Sequence, residues 1–274
     1  MATNSSTLKI DESSEKPCLD AIPMSTDTTL PPPPPPARTT LLVLGGRGFL
    51  GSRVCHEALS TGLHVVGLSR SGTPPFSKEP WVSQVEWARG DALDPESYSS
   101  FLRNSAAVIS CVGGFGSNEQ MWKTNGTSNV TAIEAASAAG VPRFVYVSAF
   151  IPFVPGLSFA LEGYVKGKQQ AERALRRVFP YSGVVLRPGA IYGDRSLSEN
   201  VSLPLQCFFK PAEKVVGLIP AEIARKVAGA LPFAGAVAVP PLAAETVARV
   251  AVRAATDESF PVGILDPWDI RKHQ

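Results

Sequence analysis

The amino-acid sequence predicts an α/β fold, a doubly wound parallel sheet with a short C-terminal segment that acts as lid or substrate platform. Three observations predict it. Short aliphatic runs bounded by Gly, Pro and Ser alternate with longer segments of helical period from Thr39 onward, and repeated βα units close as a parallel sheet with right-handed crossovers. The first run, Leu41-Leu42-Val43-Leu44, stops at a glycine cluster that opens directly into an apolar-periodic segment. The chain has 274 residues, 44% of them hydrophobic, enough to bury a sizeable core.

Residues 1–37 stand apart from this pattern. Ser and Thr dominate, apolar residues are sparse, and Pro31 to Pro36 are uninterrupted. Such a segment is predicted to be disordered, its proline run serving as a stiff polyproline II spacer or, alternatively, as a ligand for a proline-binding module. The hydroxyl-rich opening suits an organelle transit peptide, while five acids and the lack of any arginine before Arg38 count against one.

Residues 38–274 form the predicted domain, and its elements follow in order. Thr40–Leu44 is a strand, Phe49–Ser60 a helix ended near Gly62, and His64–Leu68 the second strand. A Gly/Pro/Ser loop, 69–78, leads to a strand at Val85–Ala88. Asp94 caps a helix that has Pro95 at its first position and runs to Arg103, since proline is tolerated where the N–H would go unused. Ala107–Cys111 is the fourth strand, Glu119–Ala139 a long helix and Phe144–Val147 the fifth strand. A helix at Tyr164–Val178, a strand at Gly183–Leu186, a helix at Ala244–Ala255 and a last strand at Val262–Leu265 complete the pattern.

The formal net charge of +2 favours neither nucleic-acid binding nor an acidic tail. Residues 1–37 hold two lysines and five acids, a net of −3, so the remainder carries +5. A mildly basic body suits a phosphate-bearing cofactor or an anionic membrane face. Cys18, Cys55, Cys111 and Cys207 form no CxxC pair, and His56, His64 and His273 have no metal-ligand spacing, so no metal is expected. Cys55 and Cys111, placed in a helix and a strand, read as buried free thiols. No apolar run approaches the ~18 to 20 residues that span a bilayer.

The glycine cluster carries the first chemistry. It reads as Gly46-x-Gly48-x-x-Gly51 or as Gly45-x-x-Gly48-x-x-Gly51. Glycines let the turn close and the backbone approach a pyrophosphate, while the N–H groups and positive end of the following helix face the anion. Gly45, Gly46, Arg47, Gly48, Phe49, Leu50 and Gly51 are therefore candidate cofactor-binding residues of a Rossmann site. Gly51 is followed by Ser52 and Arg53, which excludes the GxxxxGK[ST] nucleotide loop. An NAD site places Asp or Glu at the end of the second strand for the ribose 2′-hydroxyl; here that place holds Ser69 and Arg70. Arg70, with Arg47, is a candidate clamp for a 2′-phosphate, which favours NADP over NAD. Asp91 is placed to accept from the adenine amino group or, equally, to cap a loop. Val112 and Gly113, in the glycine-rich stretch Cys111–Gly116, let a flat cofactor lie against the backbone. Tyr164 and Lys168 fall at i and i+4 on one helix face, where an ammonium is expected to lower the phenol pKa for proton transfer.

These residues resemble the short-chain dehydrogenase/reductase superfamily, in its extended or atypical branch, over 39–274. Asn125-Gly126-Thr127-x-Asn129-Val130 is similar to a family helix motif, and Leu186-Arg187-Pro188-Gly189-Ala190-Ile191-Tyr192-Gly193 to the segment that closes over the nicotinamide, which implies a cofactor contact at Pro188. Gly163-Tyr164-x-x-Gly167-Lys168-x-x-Ala171-Glu172, Val239-Pro240-Pro241 and Gly263-Ile264-Leu265-Asp266 look most like a group related to the NADPH-binding accessory subunit of mitochondrial complex I and to an accessory protein of coenzyme Q biosynthesis. The resemblance implies catalytic Tyr164 and Lys168 with a serine at the end of the fifth strand, Ser148, unless the register puts Ala149 in that slot. In that case Tyr164 and Lys168 mainly hold the cofactor ribose. It also implies a mitochondrial location, with chloroplast as the alternative.

The segment 194–241 is short and apolar. With Phe150, Phe153 and Phe159 it would line a cleft for a prenyl or quinone-like molecule, pack on the sheet, or rest on a membrane. Two functions follow: an NADP(H)-dependent oxidoreductase acting on a small apolar carbonyl or quinone-related substrate, and a non-catalytic NADPH-binding accessory protein of a membrane complex. Nucleic-acid binding lacks an aromatic-basic patch. Oligomeric state is not set by the sequence.

Overall fold

The structure, a computed structural model, describes residues 38–151, 157–198, 201–204, 220–230 and 238–274. The readings made on residues 1–37, on Phe153 and on the apolar residues 205–219 lie outside them. Seven strands form one sheet: β1 (Thr40–Leu44), β2 (His64–Ser69), β3 (Glu86–Arg89), β4 (Ser105–Ser110), β5 (Phe144–Val147), β6 (Gly183–Leu186) and β11 (Gly263–Leu265). Their order is β11-β6-β5-β4-β1-β2-β3, and every neighbouring pair is parallel. Four other short strands lie outside it: β7 (Ile191–Tyr192) pairs with β10 (Leu242–Ala243), and β8 (Asp194–Ser198) with β9 (Val201–Pro204). All residues of β1, β5 and β6 are buried, as strands covered on both faces must be.

Helices cover both faces. On one face Leu41, Val43 and Val145 meet α1 (Phe49–Ala58) and the Ala244–Thr256 helix. On the other, Leu42, Leu44 and Tyr146 meet α2 (Ser99–Asn104), α4 (Ser128–Ala138) and α6 (Glu162–Val178). The chain leaves β1 toward β2 on one side and returns to β4 on the other, so the carboxyl ends of β1 and β4 flank the switch point where open α/β sheets bind ligands.

Two of the described helices differ from their sequence expectations. The helix after Asp94 begins as a 3-10 turn, Pro95–Tyr98, before α2, and the Asp94 side chain makes no cap hydrogen bond. The long helix expected at Glu119–Ala139 is α3 (Asn118–Trp122), a π turn at Lys123–Thr127, and α4. The cause is the buried Asn125, whose amide donates to the Gly114 and Met121 carbonyls at 2.8 and 2.9 Å. Gly126 in that turn packs so close to α6 that a Cβ would sit 2.9 Å from Gly167 Cα. Two helices were also not anticipated, Ala221–Ala230 and Pro267–Lys272, besides the short α5 (Leu157–Ala160). Arg225 joins the two by bonding Asp266 at 2.6 and 2.9 Å and Asp269 at 2.6 Å.

Candidate cofactor site

The glycine turn divides into structural and open positions. Gly45 has φ +77°, a left-handed conformation that costs a side chain energy, and its N–H and that of Gly46 both donate to Leu68 O, at 2.9 and 3.0 Å. A Cβ on Gly46 would lie 2.6 Å from Gly67 Cα, and one on Gly51 would lie 2.8 Å from the Gly45 carbonyl carbon. These two glycines therefore permit backbone-to-backbone packing. At Gly48 a Cβ would approach only Gly45 O, at 3.1 Å, and the residue is exposed. It is also the N-cap of α1, which has no side-chain cap and no acid in its first turn. The helix thus presents N–H groups and the positive end of its dipole to whatever binds beside Gly48.

What lies beside it is a cleft of about 470 Å³. Gly45 and Gly48 floor it, Arg70 and Asp91 line one wall, and Val112 and Gly113 line the other. A side recess of about 250 Å³ is bounded by Arg47, Gly48, Ser69, Arg70 and Ser71. Arg70 is exposed and faces both spaces. Arg47 lies against the loop after β2: its Nε donates to Pro74 O at 3.1 Å, and its guanidinium covers the Phe76 ring at 4.8 Å. Asp91 lines the cleft, and its Oδ1 accepts the Leu93 N–H at 3.0 Å, as a loop cap does. The Leu50 side chain is buried in the core and the Phe49 ring is partly buried against it; neither lines the cleft. Pro188 is buried and does not line the cleft. Gln120 from α3, Lys123 and Thr124 from the π turn and Ser128 from α4 also line the cleft; the sequence offered no motif that marked them.

Lys168 stands behind Gly113, where a Cβ would lie 3.2 Å from its Nζ, and neither it nor Tyr164 lines the cleft. Lys168 is 6% exposed. Its ammonium donates to Val147 O at 2.9 Å and lies 4.9 and 5.7 Å from the Tyr146 and Tyr164 ring centroids. Burial lowers its pKa to about 8, while nearby Cys111 and Glu172 pull it upward. Burial also pushes the Tyr164 phenol upward, opposite to the lowering expected from the i, i+4 spacing, because desolvation penalises phenolate more than this ammonium stabilises it. Cys55 is a buried free thiol; Cys111 lies just past β4, half-buried on the cleft wall, and burial pushes its thiol up to about 12.

Ser148 does not face the cleft. Its hydroxyl donates to Glu172 Oε1 at 2.5 Å, the residue is 4% exposed, and Glu172 is held by Arg187 through Nε at 2.8 Å and through a second bond from Nη2. The Ser148 hydroxyl is thus engaged with a buried carboxylate and does not present its proton to the cleft. Ala149, half-buried, follows it without a hydroxyl. Glu172 and Arg187 had a readable signal: a Glu four residues after Lys168 on the inward face of a helix calls for a buried cation. Among the described residues no group of three or more His, Cys, Asp or Glu could hold a metal ion, and no helix is long and apolar enough to cross a membrane.

A family model described as NAD(P)H-binding matches residues 45–203, more than half of the chain. This chain belongs to that NAD(P)H-binding family. It shares 39% identity over 219 residues with an uncharacterized chloroplastic protein of Arabidopsis thaliana, covering 80% of this chain and 72% of the relative. MIOREX complex component 2 of Saccharomyces cerevisiae is 29% identical over 190 residues, 62% of this chain and 69% of that protein. The mitochondrial protein fmp-52 of Neurospora crassa is 27% identical over 168 residues, 58% of this chain and 67% of that protein. Among solved structures, the NAD complex of UDP-glucose 4-epimerase from Thermus thermophilus superposes with a TM-score of 0.56 at 21% identity, covering 83% of this chain and 76% of that one. At that identity the likeness is one of fold, a Rossmann fold. The glycine packing fits a dinucleotide in the family's manner: Gly46 and Gly51 close the turn, and Gly48 leaves the one edge a pyrophosphate can approach.

Proposed function

We propose that this NAD(P)H-binding protein takes NADP(H) and is an oxidoreductase acting on a small apolar carbonyl or quinone-related compound. The preference for NADP(H) is supported by the recess between Arg47 and Arg70, whose lining includes no carboxylate; a 2′-phosphate there meets cations and the hydroxyls of Ser69 and Ser71. The observation that carries the catalytic reading is Lys168. A buried ammonium against the Tyr164 ring is costly to keep, and its position suits holding the cofactor ribose and orienting Tyr164. The bound cofactor would supply a hydride. Tyr164 would give its proton to the substrate oxygen, and its raised pKa keeps it in the acid form needed for reduction. With Ser148 engaged by Glu172, Tyr164 acts without a second hydroxyl.

That same engagement favours a second reading, in which the cofactor is structural and the protein is an accessory part of an organellar membrane complex. The likeness to MIOREX complex component 2 supports it. The mitochondrial and chloroplastic names of relatives support an organellar home; we take mitochondrion first, chloroplast second, and a role in ubiquinone biosynthesis follows only from the resemblance. The test is NADPH binding and turnover in wild type and Tyr164→Phe. The oxidoreductase reading expects turnover with a panel of carbonyls and quinones, lost about a hundredfold or more in the variant with NADPH affinity kept. Tight NADPH binding with no turnover in wild type would leave the accessory reading, and failure to bind NADPH or NADH would overturn both.

A further inference from the structure

Phe115 is used by neither reading. It lies in the glycine-rich turn after β4, and its ring stacks on that of Tyr164 with centroids 5.0 Å apart and planes 9° from parallel. Yet it is 77% exposed, so it contributes little to the core. The backbone around it is fixed on both sides. Asn125 accepts from Gly114 N at 3.2 Å and donates to Gly114 O at 2.8 Å, and Ser117 closes a capping box with Gln120. The start of α6 is pinned to the same segment: Gly163 N donates to Asn118 Oδ1 at 3.0 Å, and a Cβ at 163 would lie 2.6 Å from the Asn118 carbonyl carbon. The two rings therefore sit on backbones that hold their spacing, while the exposed phenyl group can turn about its own side-chain bonds.

We propose that Phe115 is a specificity-determining residue that selects flat, conjugated carbonyl substrates; this rests on the oxidoreductase reading. With no substrate bound its ring rests on Tyr164. A planar substrate ring gives Phe115 a replacement stacking partner as it turns away and uncovers the phenol, so one aromatic contact is exchanged for another. An acyclic carbonyl offers no such exchange, and Phe115 stays over Tyr164.

The test compares wild type, Phe115→Ala and Phe115→Trp in NADPH-dependent reduction of 1,4-naphthoquinone and of an acyclic ketone. Equilibrium binding of the quinone to NADP-loaded protein is measured in parallel by tryptophan quenching. Phe115→Ala should raise the KM and the dissociation constant for the quinone about threefold to tenfold, without raising the KM for the ketone or weakening NADPH binding. Phe115→Trp should retain the preference. Equal effects on both substrates, or no effect on either, would overturn the proposal. Should no variant turn over any acceptor, the oxidoreductase reading fails, and the binding arm still decides: loss of quinone binding in Phe115→Ala alone upholds the slot, and unchanged binding overturns it.

Discussion

Gly48 and Gly51 of the cofactor turn make separable predictions, because the structure assigns them different neighbours. An alanine Cβ at 51 would lie 2.8 Å from the Gly45 carbonyl carbon and 3.0 Å from Gly46 Cα. Ordinary contact begins at 3.4 Å, and the Gly45 carbonyl oxygen lies closer still than its carbon, so rigid backbone would have to move by well over ~0.6 Å. Overpacking of this kind costs about 1 to 3 kcal/mol, and for a domain of this size each kcal/mol lowers Tm by about 2 to 4 °C. Gly51→Ala should therefore lose up to about 10 °C. Gly48→Ala meets one oxygen at 3.1 Å and should stay within about 2 °C of wild type. Its methyl group projects where a pyrophosphate would pack, and the same 1 to 3 kcal/mol now falls on the complex, a loss of about fivefold to 150-fold in NADPH affinity. Thermal melts with and without NADPH, together with fluorescence titration, measure both quantities. A Gly48→Ala protein that binds NADPH as wild type does would refute the placement of the cofactor. Equal melting of the two variants would refute the division of roles.

Arg70→Ala should weaken NADPH binding about tenfold and leave NADH unchanged, because one exposed charge-assisted bond to a phosphate is removed; equal loss of both would place Arg70 outside 2′-phosphate recognition. Ser148→Ala should lower stability by about 1 to 2 kcal/mol while activity stays within about threefold, whereas a carbonyl-polarising serine would cost a hundredfold or more. Lys168 makes stability pH-dependent. Its folded pKa of about 8 lies below the unfolded 10.5, so between these values the folded state binds fewer protons and stability rises with pH. The penalty, roughly 3 kcal/mol at most, is complete below pH ~8, and Lys168→Met should abolish this part of the pH profile in urea unfolding of cofactor-free protein.

Much of this was legible because period and punctuation agree. Every strand of the seven-stranded sheet was readable between turn residues, all but β3 (Glu86-Trp87-Ala88-Arg89) from an apolar run, and Gly62, expected to end the first helix, adopts φ +72° there. The lining of the cleft was legible at Gly48, Arg70, Asp91 and Val112 because each follows a strand end. What escaped was set by contacts distant in sequence. The π turn exists because Asn125 reaches back to Gly114 and Gly126 abuts Gly167, and no local propensity encodes either contact. The engagement of Ser148 needs Glu172 and Arg187, which lie 24 and 39 positions further along the chain. The direction of the Tyr164 shift needed its burial, which spacing alone does not give.

The Ser148–Glu172–Arg187 group also bears on why Lys168 keeps a depressed pKa. Glu172 lies one helical turn beyond Lys168 and is 3% exposed, close enough to raise the lysine pKa. A carboxylate there could pair with Lys168 directly and return it toward its ordinary value. Instead Arg187 takes both carboxylate oxygens and Ser148 shares one of them. Glu172 is thus spent on joining β5, α6 and the segment after β6, and Lys168 is left with a backbone carbonyl and two aromatic faces. Buried ion pairs add little net stability over apolar packing, so this one is better understood as a spacer that fixes α6 on the sheet while withholding a counter-ion from Lys168. An ammonium without a carboxylate partner keeps donors unspent by a salt bridge, which the proposed cofactor role of Lys168 requires. Removing Ser148 should therefore act on the height of α6, and removing Lys168 on the cofactor.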